Sequence, residues 1–566
     1  MHLDAPGNNP VRAGVSNNMA RPRTANCYGV LIRHFFGRFF DRESLSEQSE
    51  AESDVVQTLA LLAVPGAFFA IVAQPLTFRA WGLVAIRYFF VSFSMIVMGF
   101  VMVVKWDALF PDRRDYQILT PLPLRPRTLF LTKVLALGLF LGLFLVDMNF
   151  FATLFWPGIE EGSGLLRIFG AHIAAVSAAG LFTALAAAAI HGALIAVLSG
   201  KLYRRASVCV QTLLMSLLVT MLFLSPMLAE SAHSLIRQGS PVVSYIPAFW
   251  FTGLYELLRP ATGDPALLRL GHLALQALGW AAALVVLTYL PGYRRHAGRT
   301  VETSQPNAAG PGPVRRSIDR LLDARLLRRP IERAVFHFIS QTITRSARHR
   351  LFLATYGGLG VALVTAALPA GRFGLLRAEL MLSFMLVSGL RAAFNFPAEL
   401  RGNWAFQLSE GPNVGEYLTA TRKWIVVCGV VPLFLLAAPF EFALFPAMTA
   451  AFHLAYGVTL SLLLTEILFF GFRKVPFTCA YFPGKVNLIG LSVIYVFGFT
   501  AYSDTMSGIA SWLVRTPAAA VAFFVAAAAA LWLLARLRER LTDRTVPLDY
   551  EDQGDPVVRS LGISSR

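Results

Sequence analysis

The chain has 566 residues, 56% hydrophobic and only 15% charged, with a formal net charge of +17 and a mean hydropathy of +0.58. A soluble chain carries roughly 25% charged residues. Here the apolar residues also run unbroken for a helix length at a time, which excludes a large water-soluble core and points to an integral membrane protein.

The basic residues sit mostly in the connections between apolar runs, where Lys and Arg set membrane orientation. No interleaving of basic and aromatic residues of the kind that holds single strands is present, so nucleic acid is not an expected partner. Cys27, Cys209, Cys428 and Cys479 are scattered and show no ligand spacing, so neither a disulfide framework nor a metal site is expected.

In chain order, residues 1–54 read as a cytoplasmic arm without a cleavable leader. Its segment YGVLIRHFFGRFFDRES sets Phe35, Phe36, Phe39 and Phe40 beside Arg33, Arg38 and Arg42. That mixture predicts an amphipathic helix in the membrane interface, its rings in the acyl boundary and its guanidinia at the phosphates of membrane lipids.

At about 20 apolar residues per crossing, the first unit (55–291) offers spans near 55–73, 88–104, 134–155, 168–198, 208–229 and 271–291. A basic cytoplasmic linker follows over 292–350, flexible near Pro306–Pro313 and an amphipathic helix after Val314. The second unit (351–536) offers spans near 351–370, 378–395, 424–444, 447–471, 486–503 and 513–536, and 537–566 form a cytoplasmic tail. The expected fold is therefore an all-α integral membrane protein of about twelve transmembrane helices in two six-helix repeats. The basic connections all fall on one side, which puts both termini in the cytoplasm.

Two connections are unusually long. ALFPDRRDYQILTPLPLRPRTLFLTK, over 108–133, carries Asp112, Arg113, Arg114, Asp115, Arg125, Arg127 and Lys133, with three prolines in the six residues from Pro121 to Pro126. QLSEGPNVGEYLTATRK, over 407–423, occupies the same place in the second half, and Arg422 there aligns with Lys133. A mere turn between helices takes about 2–8 residues. These two stretches each follow the second span of their half and feed the third, which supports a parallel duplication. Prolines at 121, 123 and 126 stop one helix and seed another.

With these features the chain resembles the permease subunit of type-2 ABC exporters, in a fused two-repeat form. The charged crossing between spans 2 and 3 stands where such permeases place the coupling helix, and the arm before span 1 matches their connecting helix. SYIPAFWFTGLYELLRP, over 244–260, fits their outer re-entrant element through Pro247, Trp250, Phe251 and Gly253. Its rings, Phe249, Trp250, Phe251 and Tyr255, are expected at the outer interface. The second half departs from the pattern, because its last outer loop, 504–512, reads as too short for such an element.

The resemblance implies a bacterial inner-membrane exporter subunit driven by a separate ABC ATPase subunit, with Asp112, Arg113, Arg114, Asp115, Arg125, Arg127, Lys133 and Arg422 at the docking and coupling face. No GxxxxGK[ST] occurs in the chain, so it is read as a non-enzymatic transport subunit that binds no cofactor and uses ATP only through its partner. Asp147 and Asn149, deep in span 3, are candidates for a translocation path. Glu441 and Glu466 read as snorkelling at span ends. His172, His191 and His453 read as structural histidines bonded between helices.

Other readings are a secondary transporter of the major facilitator kind, a non-transporting scaffold or a membrane enzyme. The first lacks its loop motif, since Asp112 and Arg113 stand without the leading Gly. The enzyme is disfavoured because no His, Asp or Glu are expected to cluster at matched depth. No residue pattern separates lipid, polysaccharide, peptide and drug as substrate.

Overall fold

Inside a bilayer the backbone has no water to bond, so an apolar stretch must satisfy its own amides, and a helix does so. The computed structural model follows that rule. It describes residues 24–40, 81–110, 119, 121–122, 124–155, 164–259, 264–302, 313–398, 403–409, 414–479, 495, 497–542 and 548. Among the described residues all regular structure is helical, and nine helices are long and apolar enough to cross a membrane. The protein is a multi-pass membrane protein.

The first half contains α1 (Thr24–Phe40), α2 (Leu83–Val104), α3 (Pro126–Phe155), α4 (Leu165–Val197) and α5 (Gly200–Arg237). A short pair, α6 (Pro241–Tyr245) and α7 (Pro247–Leu258), leads into α8 (Pro265–Glu302). The second half opens with α9 (Pro313–Arg325), α10 (Pro330–Arg345), α11 (Ala347–Ala367) and α12 (Arg372–Ala393). Next come α13 (Asn403–Ser409) and α14 (Val414–Trp424), which a π turn at Ile425–Val430 joins to α15 (Val431–Leu444). Then α16 (Ala447–Leu468), a π turn at Ala501–Thr505, α17 (Met506–Leu513) and α18 (Pro517–Thr542) complete the helices.

Each half has two cores. In the first half α2, α4, α5, α7 and α8 enclose Tyr88, Phe89, Ala175, Phe249, Phe251 and Tyr255. A second core joins α1 to α3 through Phe35, Phe39, Phe140 and Phe144. In the second half Phe336, Phe394, Trp424 and Phe477 make one core, and Leu380, Tyr456, Leu460 and Leu513 the other.

The halves meet along α5 and α11. A side chain at Gly358 would place its Cβ 2.5 Å from the Ser216 carbonyl oxygen, so only glycine permits the approach. Close backbones then let hydroxyls cross the seam: Ser216 Oγ donates to the Ala354 carbonyl and Thr220 Oγ1 to the Gly358 carbonyl, both at 3.0 Å. Small residues and interhelical hydroxyl bonds are what holds helices together where lipid removes the hydrophobic drive.

Several boundaries differ from the sequence expectation. The span expected at 55–73 and most of the one at 486–503 lie outside the described residues. The one at 378–395 is a helix from Arg372 to Ala393, which is not among the nine. The stretch 504–512, expected as an outer loop, is helical up to Leu513. Its polar residues bond within the helix: Ser507 Oγ donates to the Asp504 carbonyl at 2.9 Å and Ser511 Oγ to the Gly508 carbonyl at 2.7 Å. The linker begins as helix too, since α8 runs for 38 residues, about 57 Å, well beyond a hydrocarbon core of about 30 Å. The amphipathic helix expected after Val314 is α9.

Candidate functional site

On the side expected to be cytoplasmic, α1 grips the start of α3. Phe35 and Phe39, four residues apart, share one helix face and are both 1% exposed. Phe39 stacks on Phe140 with ring centroids 4.8 Å apart. Lys133 is buried, its Nζ 5.0 Å from the Phe35 ring and 4.8 Å from the Phe39 ring, a cation held over two aromatic faces. Two of the rings expected in lipid therefore seat on protein.

The other end of the crossing is tied as well. Tyr289 Oη donates to the Leu109 carbonyl at 2.5 Å. The Trp106 indole N–H donates to Ser207 Oγ at 2.9 Å, and Gln211 Nε2 to the Val103 carbonyl at 3.0 Å. Between these anchors Asp112, Arg113, Arg114 and Asp115 lie outside the described residues, while Arg125 and Arg127 are exposed.

In the second half α10 meets α14. Lys423 Nζ lies 2.6 Å from Glu332 Oε2 and donates to the Leu326 carbonyl at 2.9 Å. The neighbouring Trp424 indole donates to Ser340 Oγ at 2.8 Å. Arg422 is buried, its Nε 3.5 Å from Glu466 Oε2. Arg538 reaches the same carboxylate, with contacts of 2.9 and 3.1 Å. Glu466 does not snorkel: one carboxylate between two guanidinia joins α14, α16 and α18.

Behind this triad the segment 469–479 folds back on the end of α12. Phe477 N donates to the Phe394 carbonyl at 3.2 Å, and Ala398 N to the Phe477 carbonyl at 3.0 Å. Phe477 has φ 70°, a left-handed backbone that costs a non-glycine residue about 1–2 kcal/mol. Its ring, buried against His349 at 4.6 Å and Phe394 at 5.2 Å, offsets that cost.

The segment expected as an outer element is a helix pair between α5 and α8. Pro247 opens α7, where its missing N–H costs nothing. Trp250 ties α7 to α6 through an indole bond to the Ser244 carbonyl at 3.1 Å. A Cβ at Gly253 would lie 2.4 Å from the Leu267 carbonyl oxygen, and one at Gly271 would lie 2.7 Å from the Gly253 carbonyl oxygen; these two glycines let α7 and α8 touch backbone to backbone. Arg87, beneath the Tyr255 ring, pairs with Glu256 and pins α7 to α2. Phe249, Phe251 and Tyr255 are completely enclosed, so the rings expected at the outer interface form the protein's core, with Trp250 alone half-buried.

Asn149 and Asp147 part company. Asn149 is buried and donates to Ser94 Oγ at 3.2 Å and to the Leu145 carbonyl at 2.9 Å, while Ser94 Oγ donates to the Val176 carbonyl at 2.8 Å. It packs α3 onto α2 and α4. Asp147, two residues away and so on a different face, is half-buried with one carboxylate oxygen enclosed and without a partner. Among the histidines, His191 Nε2 lies 2.9 Å from Tyr203 Oη and its ring stacks on Trp106. His172 departs from the expected bonded state: it is buried with no partner for either ring nitrogen, between the Phe90 and Tyr255 rings.

The sequence also led to no expected cluster of acids and histidines, yet the structure builds one. His453 of α16 and Glu441 of α15 are hydrogen-bonded, Nδ1 to Oε2, at 3.0 Å. Glu379 of α12 lies against Gly457, where a Cβ would stand 3.5 Å from its Oε2, and Gly457 is one turn of α16 on from the His453 that holds Glu441. All three are buried. Glu379 lies 7 residues into α12, His453 6 residues into α16, and Glu441 3 residues before the end of α15. These offsets put all three within about 10 Å of the same ends of the bundle. The signal available in the sequence was that match of depth in three adjacent spans. Among the described residues no group of three His, Cys, Asp or Glu is arranged to hold a metal ion.

No family model matches this chain, and neither curated proteins nor solved structures give a match.

Proposed function

We propose that this chain is the membrane-spanning subunit of an ABC-type exporter of the bacterial inner membrane, driven by ATP that a separate ATPase subunit hydrolyses. The observation that carries the reading is the paired grip on the cytoplasmic side. In each half an amphipathic helix clamps the helix that follows the long crossing: α1 holds Lys133, two turns into α3, and α10 holds Lys423 and Trp424 at the end of α14. A partner that moves these crossings then moves α3 and α14, because the buried Lys133 with its rings and the Lys423–Glu332 and Trp424–Ser340 contacts tie each helix to its clamp.

Further support comes from the helix pair α6–α7 between α5 and α8, where the resemblance places a re-entrant element, and from α1 ahead of the bundle. Lys133 and Arg422 serve as anchors inside this frame, while the exposed Arg125 and Arg127, with the charges at 112–115, offer the docking face. The test is affinity purification of the full chain from its native membrane, followed by reconstitution with whatever ATPase accompanies it. Copurification of a P-loop polypeptide, with ATP hydrolysis faster in the complex than in the free ATPase, is the expected result. Purification without any ATPase in mild detergent and after cross-linking contradicts the reading.

A further inference from the structure

Buried carboxylates survive in a low-dielectric interior by collecting donors, and a charge left without them is expensive. Glu466 obeys that rule, with two guanidinia. Glu379 does not. It is 7% exposed, and its Oε1 is fully enclosed with no hydrogen-bond partner. Its neighbour is another acid, Glu441, 4% exposed and already bonded to His453. Two ionised carboxylates have only acceptors to offer each other. A proton on one of them turns the contact into an O–H donating to a carboxylate, and that single proton resolves the mismatch.

The other ionisable groups around this cluster are committed elsewhere. On α12, Arg377 pairs with Asp504 from the π turn before α17. Tyr456 of α16 donates to the Met506 carbonyl at 2.9 Å, and Tyr502 shares a 3.0 Å hydrogen bond with Ser383. Arg391, near the far end of α12, donates to the Leu468 carbonyl at 3.1 Å. No cation neutralises Glu379 among the described residues. Gly457 of α16 leaves the room for it: a Cβ there would stand 3.5 Å from Glu379 Oε2 and 2.5 Å from the Phe434 ring.

The helix that carries Glu441 also contains two kink sites. It begins at the π turn Ile425–Val430 and contains Pro439, two residues before Glu441. Proline and π turns are the sites where helices kink, and Pro439 removes one rung of the backbone ladder. A change in that kink carries Glu441 toward or away from Glu379.

From this geometry we infer that Glu379, Glu441 and His453 form a proton-binding site in the second half, which takes up and releases a proton as α15 bends. The ligand is the proton itself. In the loaded state Glu379 holds it and donates to Glu441, which also accepts from His453 Nδ1. When α15 bends, the hydrogen bond from Glu379 to Glu441 breaks and water enters; Glu379 gives its proton to that water, which then solvates the ionised carboxylate. The site holds whether or not an ATPase drives the protein, so it stands apart from the exporter reading.

The test is infrared spectroscopy of the full chain in lipid vesicles. The wild type is expected to show the carbonyl stretch of a protonated carboxylic acid at neutral pH, shifted in heavy water and lost as the medium is made alkaline. Glu379→Gln abolishes that band, and Glu379→Asp retains it. A wild type without the band overturns the inference, as does a band that persists in a folded Glu379→Gln variant. Should Glu379→Gln fail to fold, labelling of the wild type with dicyclohexylcarbodiimide, which attacks protonated carboxyls in apolar surroundings, decides the matter. Adducts on Glu379 or Glu441 that diminish at alkaline pH are expected, and their absence from both residues contradicts the site.

Discussion

Thr220 on α5 donates its hydroxyl to the carbonyl of Gly358 on α11, 3.0 Å away, and that bond crosses the seam between the two halves. Its existence depends on what Gly358 lacks. With the Ser216 carbonyl 2.5 Å from the place of a Cβ, no larger residue fits without parting the helices. Gly358→Val is therefore expected to destabilise the detergent-solubilised protein by about 2 kcal/mol. Thr220→Val, which keeps the volume, costs about 0.6 kcal/mol. Thermal unfolding of both variants checks the ratio; equal losses would show that the hydroxyl, not the close approach, governs the seam.

Phe39 is the ring on which the α1 grip depends, since it touches both Lys133 and Phe140. Phe39→Ala is expected to cost about 3 kcal/mol and to open α1 to protease, while Phe36→Ala, at a half-buried position, leaves α1 resistant. Limited proteolysis with mass mapping of the cleavage sites reports the difference.

Lys423, half-buried at 28% side-chain exposure, pairs with the buried Glu332 at 7%. Removing the lysine alone strands a carboxylate, so Lys423→Met is expected to cost about 3–5 kcal/mol. The double variant Lys423→Met with Glu332→Gln loses less than Lys423→Met alone. A double variant no more stable than the single one would show that packing around Trp424, and not the charge, sets the cost.

Gly253 and Gly271 make the backbone contact that seats the helix pair α6–α7. Gly253→Val drives a side chain into the Leu267 carbonyl and is expected to release α7, exposing the rings of Phe249 and Tyr255. Faster hydrogen exchange confined to residues 241–258 is the predicted readout; unchanged exchange there contradicts the seating.

Long apolar runs were legible because a bilayer imposes a length, and α3, α4, α5, α8, α11, α15, α16 and α18 lie where such runs stand. Pro247 marked the start of α7, but that helix's aromatic pattern pointed to an interface where the structure has a core. What stayed hidden is azimuth and partnership. The sequence offers Lys133 as one more charge beside a helix start; its burial depends on rings nearly a hundred positions earlier. Glu379, Glu441 and His453 are ionisable residues in separate spans, and only the rotation of α12, α15 and α16 about their axes brings them to one point. Residues 504–512 mimic a loop because serines and glycine break the apolar run, yet those hydroxyls bond back to their own helix.

The most direct test of the central claim, that the gripped cytoplasmic crossings receive force from an ATPase partner, is photo-cross-linking from positions 125 and 127 in native membranes. The account predicts an adduct with a polypeptide that carries a P-loop, lost when Arg125 and Arg127 are both reversed to Glu. Adducts with lipid alone at both positions would contradict it.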